Sequence, residues 1–189
     1  MPTPANDAEA GVSEAIGQAD FERAITLLDR LYGAALYRHL RLMMGSDDVA
    51  DDVFQMTMVQ AFQSLASFAG RSSLRTWLYS IARHRALDVF KAERRRSKRF
   101  TDEGEGREMV DLTPDAAQRI GNAQLVATLE TCVQKLPPQV RMVVLLRFQE
   151  GFSYDEIART CQEQPATLRA WVSRALPRLR KCINSRGTP

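Results

Sequence analysis

Residues 74–96 read LRTWLYSIARHRALDVFKAERRR and indicate one long helix that ends in a basic run. At about 100° per residue, the apolar side chains fall on one arc of this helix and polar side chains fall on another. The polar arc comprises Thr76, Ser80, Arg83, His84 and Lys91. One side of the helix can therefore pack into a core, while the other offers donors and positive charge to an anionic partner.

The basic run is dense, because six of the nine residues in 91–99 are Lys or Arg and one is acidic. For the helix alone, a solvated charged face is the favoured interpretation. The density of the run favours a nucleic-acid phosphate backbone instead. The distribution of net charge along the chain supports this interpretation. Residues 1–90 carry −3, residues 91–124 carry +1 and residues 125–189 carry +5. This distribution suits two nucleic-acid contacts separated by a connector.

Length and composition indicate a folding protein of one medium domain or two small ones. The chain has 189 residues, of which 44% are hydrophobic and 26% charged. No apolar run approaches the roughly 20 residues of a membrane span, and the acidic N-terminus does not resemble a signal peptide. We expect a cytoplasmic location and no membrane insertion.

The three cysteines, Cys132, Cys161 and Cys182, are far apart in the sequence, and His39 and His84 are the only histidines. No C-x-x-C motif occurs. A zinc or disulfide framework is therefore not expected, and buried thiols are favoured over a redox role. We expect no metal and no cofactor.

Apolar spacing predicts an all-α chain of two small helical domains. Residues 1–19 are predicted to be a disordered tail, 20–99 the first domain, 100–121 a flexible acidic linker, 122–184 the second domain and 185–189 a tail.

The first domain is predicted to contain one or two helices ending near Gly45, followed by a helix capped by Ser46. The expected core face of that helix comprises Val49, Val53, Met56, Phe62 and Leu65. Another flank carries Asp51, Asp52, Gln55 and Val59. The helix at 74–96 is expected to be capped by Ser72 or Ser73.

The second domain is predicted to end in two short helices joined by a tight turn. Ser153 and Glu156 form a capping box, and Pro165 occupies the first position of the last helix. The last helix is apolar inside and basic outside. This pattern favours a helix-turn-helix whose second helix enters the major groove, with an ordinary helical hairpin as the alternative.

Together the two halves resemble the extracytoplasmic-function (group IV) sigma factors of bacterial RNA polymerase, in the sigma-70 superfamily. DDVFQ at 51–55, FAG at 68–70 and LRTWLYSIAR at 74–83 resemble region 2. LPPQVR at 136–141 and SYDEIA at 153–158 resemble region 4. The resemblance spans residues 21–183 and implies two helical domains with a flexible linker.

The resemblance implies a non-enzymatic subunit that binds core RNA polymerase and directs promoter-specific initiation. Asp51, Asp52 and Gln55 are expected to dock on the clamp helices of the β′ subunit, although a solvated acidic face is the plainer alternative. The β flap of the polymerase is a second expected contact. An anti-sigma factor that holds the chain inactive is a further expected partner.

Promoter DNA is expected to be contacted at two elements. The first domain is expected to recognise and melt the −10 element, where a flipped base needs stacking surface and edge donors. Its candidates are Arg71, Ser72, Thr76, Trp77, Ser80, Arg83, His84, Lys91, Arg94, Arg95 and Arg96. The last four of these are expected to hold phosphates, and core packing is the favoured alternative for Trp77. The −35 candidates are Thr167, Arg169, Ser173, Arg174 and Arg178.

Four positions depart from the family pattern. His84 stands where asparagine is common, Gln162 where the turn has glycine, and Trp171 where arginine is common. Pro177 falls inside the recognition helix and is expected to kink or shorten it. These departures make the −35 contacts less secure than the −10 contacts.

A free-standing helix-turn-helix regulator that dimerises through its N-terminal helices is the competing hypothesis. The acidic flank and the region 2-like residues favour the polymerase subunit. An enzyme is disfavoured, because the sequence shows no nucleophile–base pair, metal cluster or phosphate loop.

Overall fold

The computed structural model describes residues 4–100 and 122–186, and within those ranges every regular element is helical. The α-helices are α1 (Pro4–Gly17), α2 (Phe21–Leu28), α3 (Ala34–Met44), α4 (Asp47–Ser64), α5 (Leu74–Phe100), α6 (Asn122–Gln134), α7 (Pro138–Phe148), α8 (Tyr154–Cys161) and α9 (Pro165–Arg186). A π-helical segment, Asp29–Gly33, joins α2 to α3, and a 3-10 turn, Leu65–Ser67, follows α4. The predicted all-α class is confirmed.

Helix α1 corrects the prediction of a disordered tail at 1–19. Val12 and Ala15 are fully buried, and α1 packs against α2. Val12, Ala15 and Ile16 form a narrow apolar stripe at helical spacing, which small and polar neighbours obscure in the sequence. Asp20 then caps α2 by accepting a hydrogen bond from the Arg23 amide.

Helices α2 and α3 and the π segment between them form a nearly continuous rod. It ends at Gly45, whose positive φ of 74° places it in the left-handed region, and the Gly45 amide donates to the Arg41 carbonyl. The predicted helix end near Gly45 is therefore confirmed.

Helix α4 uses a different core face from the predicted one. Val53 and Leu65 are buried as expected, but Met56 and Phe62 are 41% and 43% exposed. The buried line consists instead of Ala50, Val53, Thr57 and Ala61. These small residues let neighbouring helices approach closely, so the larger side chains point outward. Ser46 occupies the N-cap position, but its side chain makes no capping hydrogen bond.

Helix α5 begins as predicted, with Ser73 as its cap. The Ser73 hydroxyl accepts a hydrogen bond from the Thr76 amide at 3.1 Å. Leu74 and Leu78 are buried, and the Trp77 ring packs on Phe68 with centroids 5.1 Å apart. The predicted helical pattern is confirmed.

The predicted helix-turn-helix is formed by α8 and α9. The capping box of Ser153 and Glu156 is present in full. Gln162, in the turn, has a φ of 53°, so a non-glycine residue adopts the left-handed conformation there.

Pro177 does not shorten α9, which corrects that part of the prediction. The helix continues through it to Arg186. Proline lacks the N–H that would bond to the Ser173 carbonyl, but Ser173 and Pro177 are both exposed. Water can therefore satisfy that carbonyl, and the helix persists.

A disulfide between Cys132 and Cys182 corrects the prediction of buried free thiols. The bond joins α6 to α9, with the two Cα atoms 5.8 Å apart. Cys161 is a buried free thiol, as expected. The pair was missed because its members lie 50 residues apart and meet only when α6 packs against α9.

The predicted acidic linker lies outside the described residues from position 101 onward, as does the end of the predicted tail. Among the described helices, none has the length and apolar character needed to cross a membrane.

The two helical halves contact one another through α3 and α5 on one side and α6, α7 and α8 on the other. His39 lies at this contact with 0% exposure, and its Nε2 is 3.3 Å from the Met142 sulfur. The Glu150 carboxylate is 3.9 Å from its Nδ1, but Arg75 holds that carboxylate. Burial, followed by the charge of Arg75, lowers the pKa of His39 to about 3, so the imidazole is neutral.

Acidification is expected to destabilise this contact. An exposed histidine has a pKa near 6.5, so the unfolded or opened chain binds a proton that the closed fold excludes. Stability is therefore retained above about pH 6.5 and decreases as the pH falls toward 3, by about 2 kcal/mol at pH 5. Chemical denaturation at pH 7.5 and pH 5 measures the loss. His39→Gln is expected to show a smaller pH dependence, whereas the matched variant His84→Gln is expected to keep it. Equal pH dependence in His39→Gln and the parent chain would contradict this assignment.

Candidate nucleic-acid interface

The predicted phosphate contacts lie on an open surface. Lys91 and the three arginines Arg94, Arg95 and Arg96 are exposed on the last described turns of α5. Lys91 is 3.7 Å from Asp88, an exposed ion pair that contributes little to stability. This end of α5 is available to an extended polyanion.

In the loop before α5 and in the middle of its polar arc, the side chains differ in their exposure to solvent. Arg71 and His84 are exposed, while Ser72, Trp77 and Ser80 are half-buried. Ser80 donates to the Trp77 carbonyl at 2.6 Å, which leaves its oxygen free to accept. Trp77 packs on Phe68 and keeps part of its surface exposed.

Thr76 does not lie on the exposed arc. It is 2% exposed, and its hydroxyl accepts a hydrogen bond from Ser73 at 2.9 Å. The predicted surface position is wrong, because the capping interaction at the start of α5 holds the side chain inward. In this arrangement Thr76 supports the helix start.

His84 is neutral at pH 7. Partial burial, followed by the charge of Arg83, lowers its pKa below the ordinary value. Its exposed ring therefore offers one N–H donor and one nitrogen acceptor, which suits contact with a base edge more than contact with a phosphate.

Arg83 faces the second helical half. It lines the same cavity as the Cys161 thiol, whose pKa is raised to about 11 chiefly by burial, and the charge of Arg83 opposes that increase. This cavity has a volume of about 260 Å³, and its wall also includes Gln162, Glu163 and Trp171. The structure therefore brings a predicted −10 residue against the turn and second helix of the helix-turn-helix.

The outer face of α9 carries the predicted −35 residues. Arg169, Ser173, Arg174 and Arg178 are exposed, and Thr167 is half-buried. The Arg169 guanidinium lies 5.1 Å from the centroid of the Tyr154 ring. This cation–π contact helps to orient the Arg169 side chain. Four of the five predicted residues thus share an open, basic helix face.

The acidic flank of α4 is exposed and joins an apolar surface. Asp51, Asp52 and Gln55 are all exposed. The nearby Asp51 carboxylate is the main reason that the pKa of the Tyr37 hydroxyl is raised.

Three large apolar side chains continue this surface along α4: Met56, Val59 and Phe62, which are 41%, 58% and 43% exposed. We call Asp51, Asp52, Gln55, Met56, Val59 and Phe62 together the α4 surface. Its apolar half was missed by sequence reasoning, which assigned Met56 and Phe62 to the core. A mixed acidic and apolar face of this kind is typical of a protein-binding site.

Two helical units, a basic helix-turn-helix and a separate exposed face that is acidic and apolar are typical of one class: a DNA-binding transcription protein that works with a partner. Family models agree. The model described as sigma-70 region 2 matches residues 28–96, and the model described as sigma-70, region 4 matches residues 127–179.

Whole proteins of known identity are similar over most of the chain. The ECF RNA polymerase sigma factor SigX of Bacillus subtilis is 31% identical over 85% of this chain and 84% of its own length. The RNA polymerase sigma-H factor of Pseudomonas aeruginosa is 30% identical over 86% of this chain and 87% of its own.

Solved structures show the same fold. The sigma factor RpoE of Bartonella quintana, in complex with the anti-sigma factor NepR, aligns with a TM-score of 0.66 and 25% identity, over 84% of this chain and 96% of its own. The chain therefore belongs to the extracytoplasmic-function (ECF) sigma factors of the sigma-70 family. It binds core RNA polymerase and promoter DNA and directs transcription initiation.

Proposed function

We propose that the first helical domain, 20–99, recognises and melts the −10 element and that the second, 122–184, binds the −35 element, with 100–121 as the linker. The exposed basic face of α9 carries the proposal, because it holds outward donors on the second helix of a helix-turn-helix. The exposed basic end of α5 supports the other half of the proposal.

Each DNA contact has a proposed role. Arg169 and Ser173 read base edges at the −35 element, since they lie early on the outer face of α9, and Arg174 and Arg178 hold the backbone. At the −10 element, Ser80, Arg83 and His84 select the sequence, and the basic end of α5 holds phosphates.

The α4 surface is the proposed docking site for the β′ clamp helices. Its carboxylates supply charge complementarity, and its apolar side chains supply buried area once the partner covers them. The β flap is proposed to contact the second domain.

The regulation is proposed from the relatives. RpoE of Bartonella quintana was solved with the anti-sigma factor NepR. We extend this to the present chain and propose a dedicated anti-sigma factor as its inhibitor. The chain is proposed to act in the cytoplasm and to catalyse no reaction of its own, since polymerase supplies the chemistry.

Arg169→Ala tests the proposed −35 assignment. Loss of a bidentate base contact is expected to cost about 1–3 kcal/mol on a matched −35 sequence and little on a scrambled one. Holoenzyme binding to both promoters, measured at two salt concentrations, gives the comparison. Arg178→Ala is the matched control and is expected to weaken both promoters equally. Equal losses for Arg169→Ala on the two promoters would show that Arg169 contacts only phosphate.

A further inference from the structure

A groove lies between α4 and α5, beside the α4 surface. Its volume is about 350 Å³, many times the space that one water molecule needs. We call it the α4/α5 groove, and its wall comprises Gln55, Met56, Val59, Gln60, Gln63 and Arg85. The first three of these residues also belong to the α4 surface, so the groove continues the surface that is proposed to dock polymerase.

Arg85, on α5, is the charged residue of this groove. Its Nε is buried and has no hydrogen-bond partner within the part of the chain that the structure describes. Its Nη1 lies 4.0 Å from the carboxylate of Asp88, which is exposed and also lies 3.7 Å from Lys91 Nζ. Exposed ion pairs of this kind contribute little to stability. The side chain of Arg85 is 37% exposed, so its guanidinium retains donors for an acceptor that enters the groove.

The charges around the groove favour an acidic group on a protein. The other wall residues are neutral amides or apolar side chains, so none of them supplies Arg85 with a counter-charge. A guanidinium binds a carboxylate through two parallel N–H donors. Asp51 and Asp52 are exposed on the same helix, and their negative charge repels a nucleic-acid backbone. A carboxylate side chain of a protein partner therefore suits the groove better than a phosphate does.

The spacing of charge along α4 constrains that partner. Asp51 and Asp52 precede Val59, in the middle of the groove wall, by seven or eight residues. This separation is about 11 Å along the helix axis, or two turns. A helix that packs along α4 therefore needs basic side chains at one level and an acidic side chain about two turns away. Such a pattern fixes register and direction, because a shifted or reversed helix brings like charges together.

We propose that the α4/α5 groove sets the register of the polymerase interface, with Arg85 binding an acidic side chain of the docked helix. Asp51 and Asp52 bind basic side chains of the same helix, and Met56 and Val59 pack against its apolar side chains. This inference rests on the proposed docking of polymerase on the α4 surface. It extends that interface to α5 and defines the charge of the partner group.

Two substitutions in the full-length chain test the groove. Gln63 is exposed, so Gln63→Glu leaves the core intact, and the new carboxylate is expected to pair with Arg85 and to repel the partner's acid. Arg85→Gln removes the charge directly. Titration of labelled chain with core polymerase, without DNA, is expected to show about 10-fold or greater weakening for each, as for loss of a hydrogen bond to a charged group. Arg85→Lys keeps the charge without the paired donors, and an intermediate loss is expected.

Matched controls separate the groove from net charge and from folding. Gln18→Glu and Arg23→Gln make the same changes at exposed positions outside the groove and are expected to bind like the parent chain. Circular dichroism and thermal unfolding establish that each variant keeps its fold. If Arg85 only stabilised the packing of α4 on α5, Gln63→Glu would bind polymerase like the parent, and that result would overturn the proposal.

A charge exchange identifies the partner group. Arg85→Glu is expected to weaken binding at least as much as Arg85→Gln, and to regain it when one acid on the polymerase clamp helices is changed to Lys. Absence of rescue by every such acid would overturn the proposal. Normal binding to core polymerase combined with loss of promoter opening would also overturn it, because the groove would then hold nucleic acid. If the docking surface itself is wrong, the double reversal of Asp51 and Asp52 to Lys binds like the parent, so the two failures are distinguishable.

Discussion

The double substitution Asp51→Lys and Asp52→Lys is expected to abolish most binding to core polymerase while leaving the fold intact. Both side chains are exposed on α4. Reversal places two positive charges on the proposed clamp-helix surface, and like-charge contacts at an interface cost several kcal/mol. We expect affinity to fall by about 100-fold or more. Equilibrium titration of labelled chain with core polymerase gives the value.

A matched charge reversal separates docking from net charge. Glu14→Lys with Glu22→Lys changes the same number of charges on exposed positions of α1 and α2. That variant is expected to bind polymerase like the parent chain. Parent-like binding by the Asp51 and Asp52 variant would remove the α4 surface from the proposed interface.

Reduction of the Cys132–Cys182 disulfide is expected to produce the largest change in stability. The bond closes a loop across 50 residues, from α6 to the end of α9. By the chain-entropy relation, a loop of that length contributes about 4 kcal/mol to the free energy of unfolding. Cys182 is half-buried, so a dithiol reductant can reach it after a small movement of the helix end.

Denaturant unfolding with and without reductant measures this contribution. The double variant Cys132→Ala and Cys182→Ala is expected to match the reduced parent and to be insensitive to reductant. Cys161, which is buried and free, stays in place in both proteins. A parent chain whose unfolding midpoint does not move on reduction would show that the bond adds no stability.

Much of the fold could be predicted from local sequence. Capping by Ser73 and by the pair Ser153 and Glu156 depends on residues three positions apart, and the stop at Gly45 depends on a bond to Arg41, four positions earlier. These signals are local, and the structure contains all of them. The apolar stripe of α1 was obscured because it is narrow and the polar residues Ser13 and Glu14 lie between its members.

The face of a helix that is buried is harder to predict than the presence of the helix. Met56 and Phe62 were predicted to be core residues because they are large and apolar. In the structure, Ala50 and Ala61 are buried instead, because the helices pack closely at this face. Thr76 read as surface because hydroxyl residues are polar, but its bond to Ser73 satisfies it inside. Packing against other helices decided the buried face of α4. The geometry of the helix cap decided the position of Thr76.

The long-range contacts had no sequence signal. Glu150 is a single acid after α7, and nothing nearby indicates that it bonds Arg75 and Tyr79 more than 70 positions earlier. The same is true of the disulfide. Contacts of this kind depend on how completed helices pack, and local periodicity contains no information about them.

Strand opening at a promoter is the most direct measurement of the chain's role. Core polymerase, with and without the chain, is mixed with promoters selected by the reconstituted holoenzyme, and permanganate reactivity of unpaired thymines is read across the −10 element. We expect reactivity only when the chain and core are both present, and its loss when the −10 sequence is scrambled. Specific binding of the chain alone to an operator, with no opening when core polymerase is added, would contradict the sigma factor mechanism and favour a free-standing regulator.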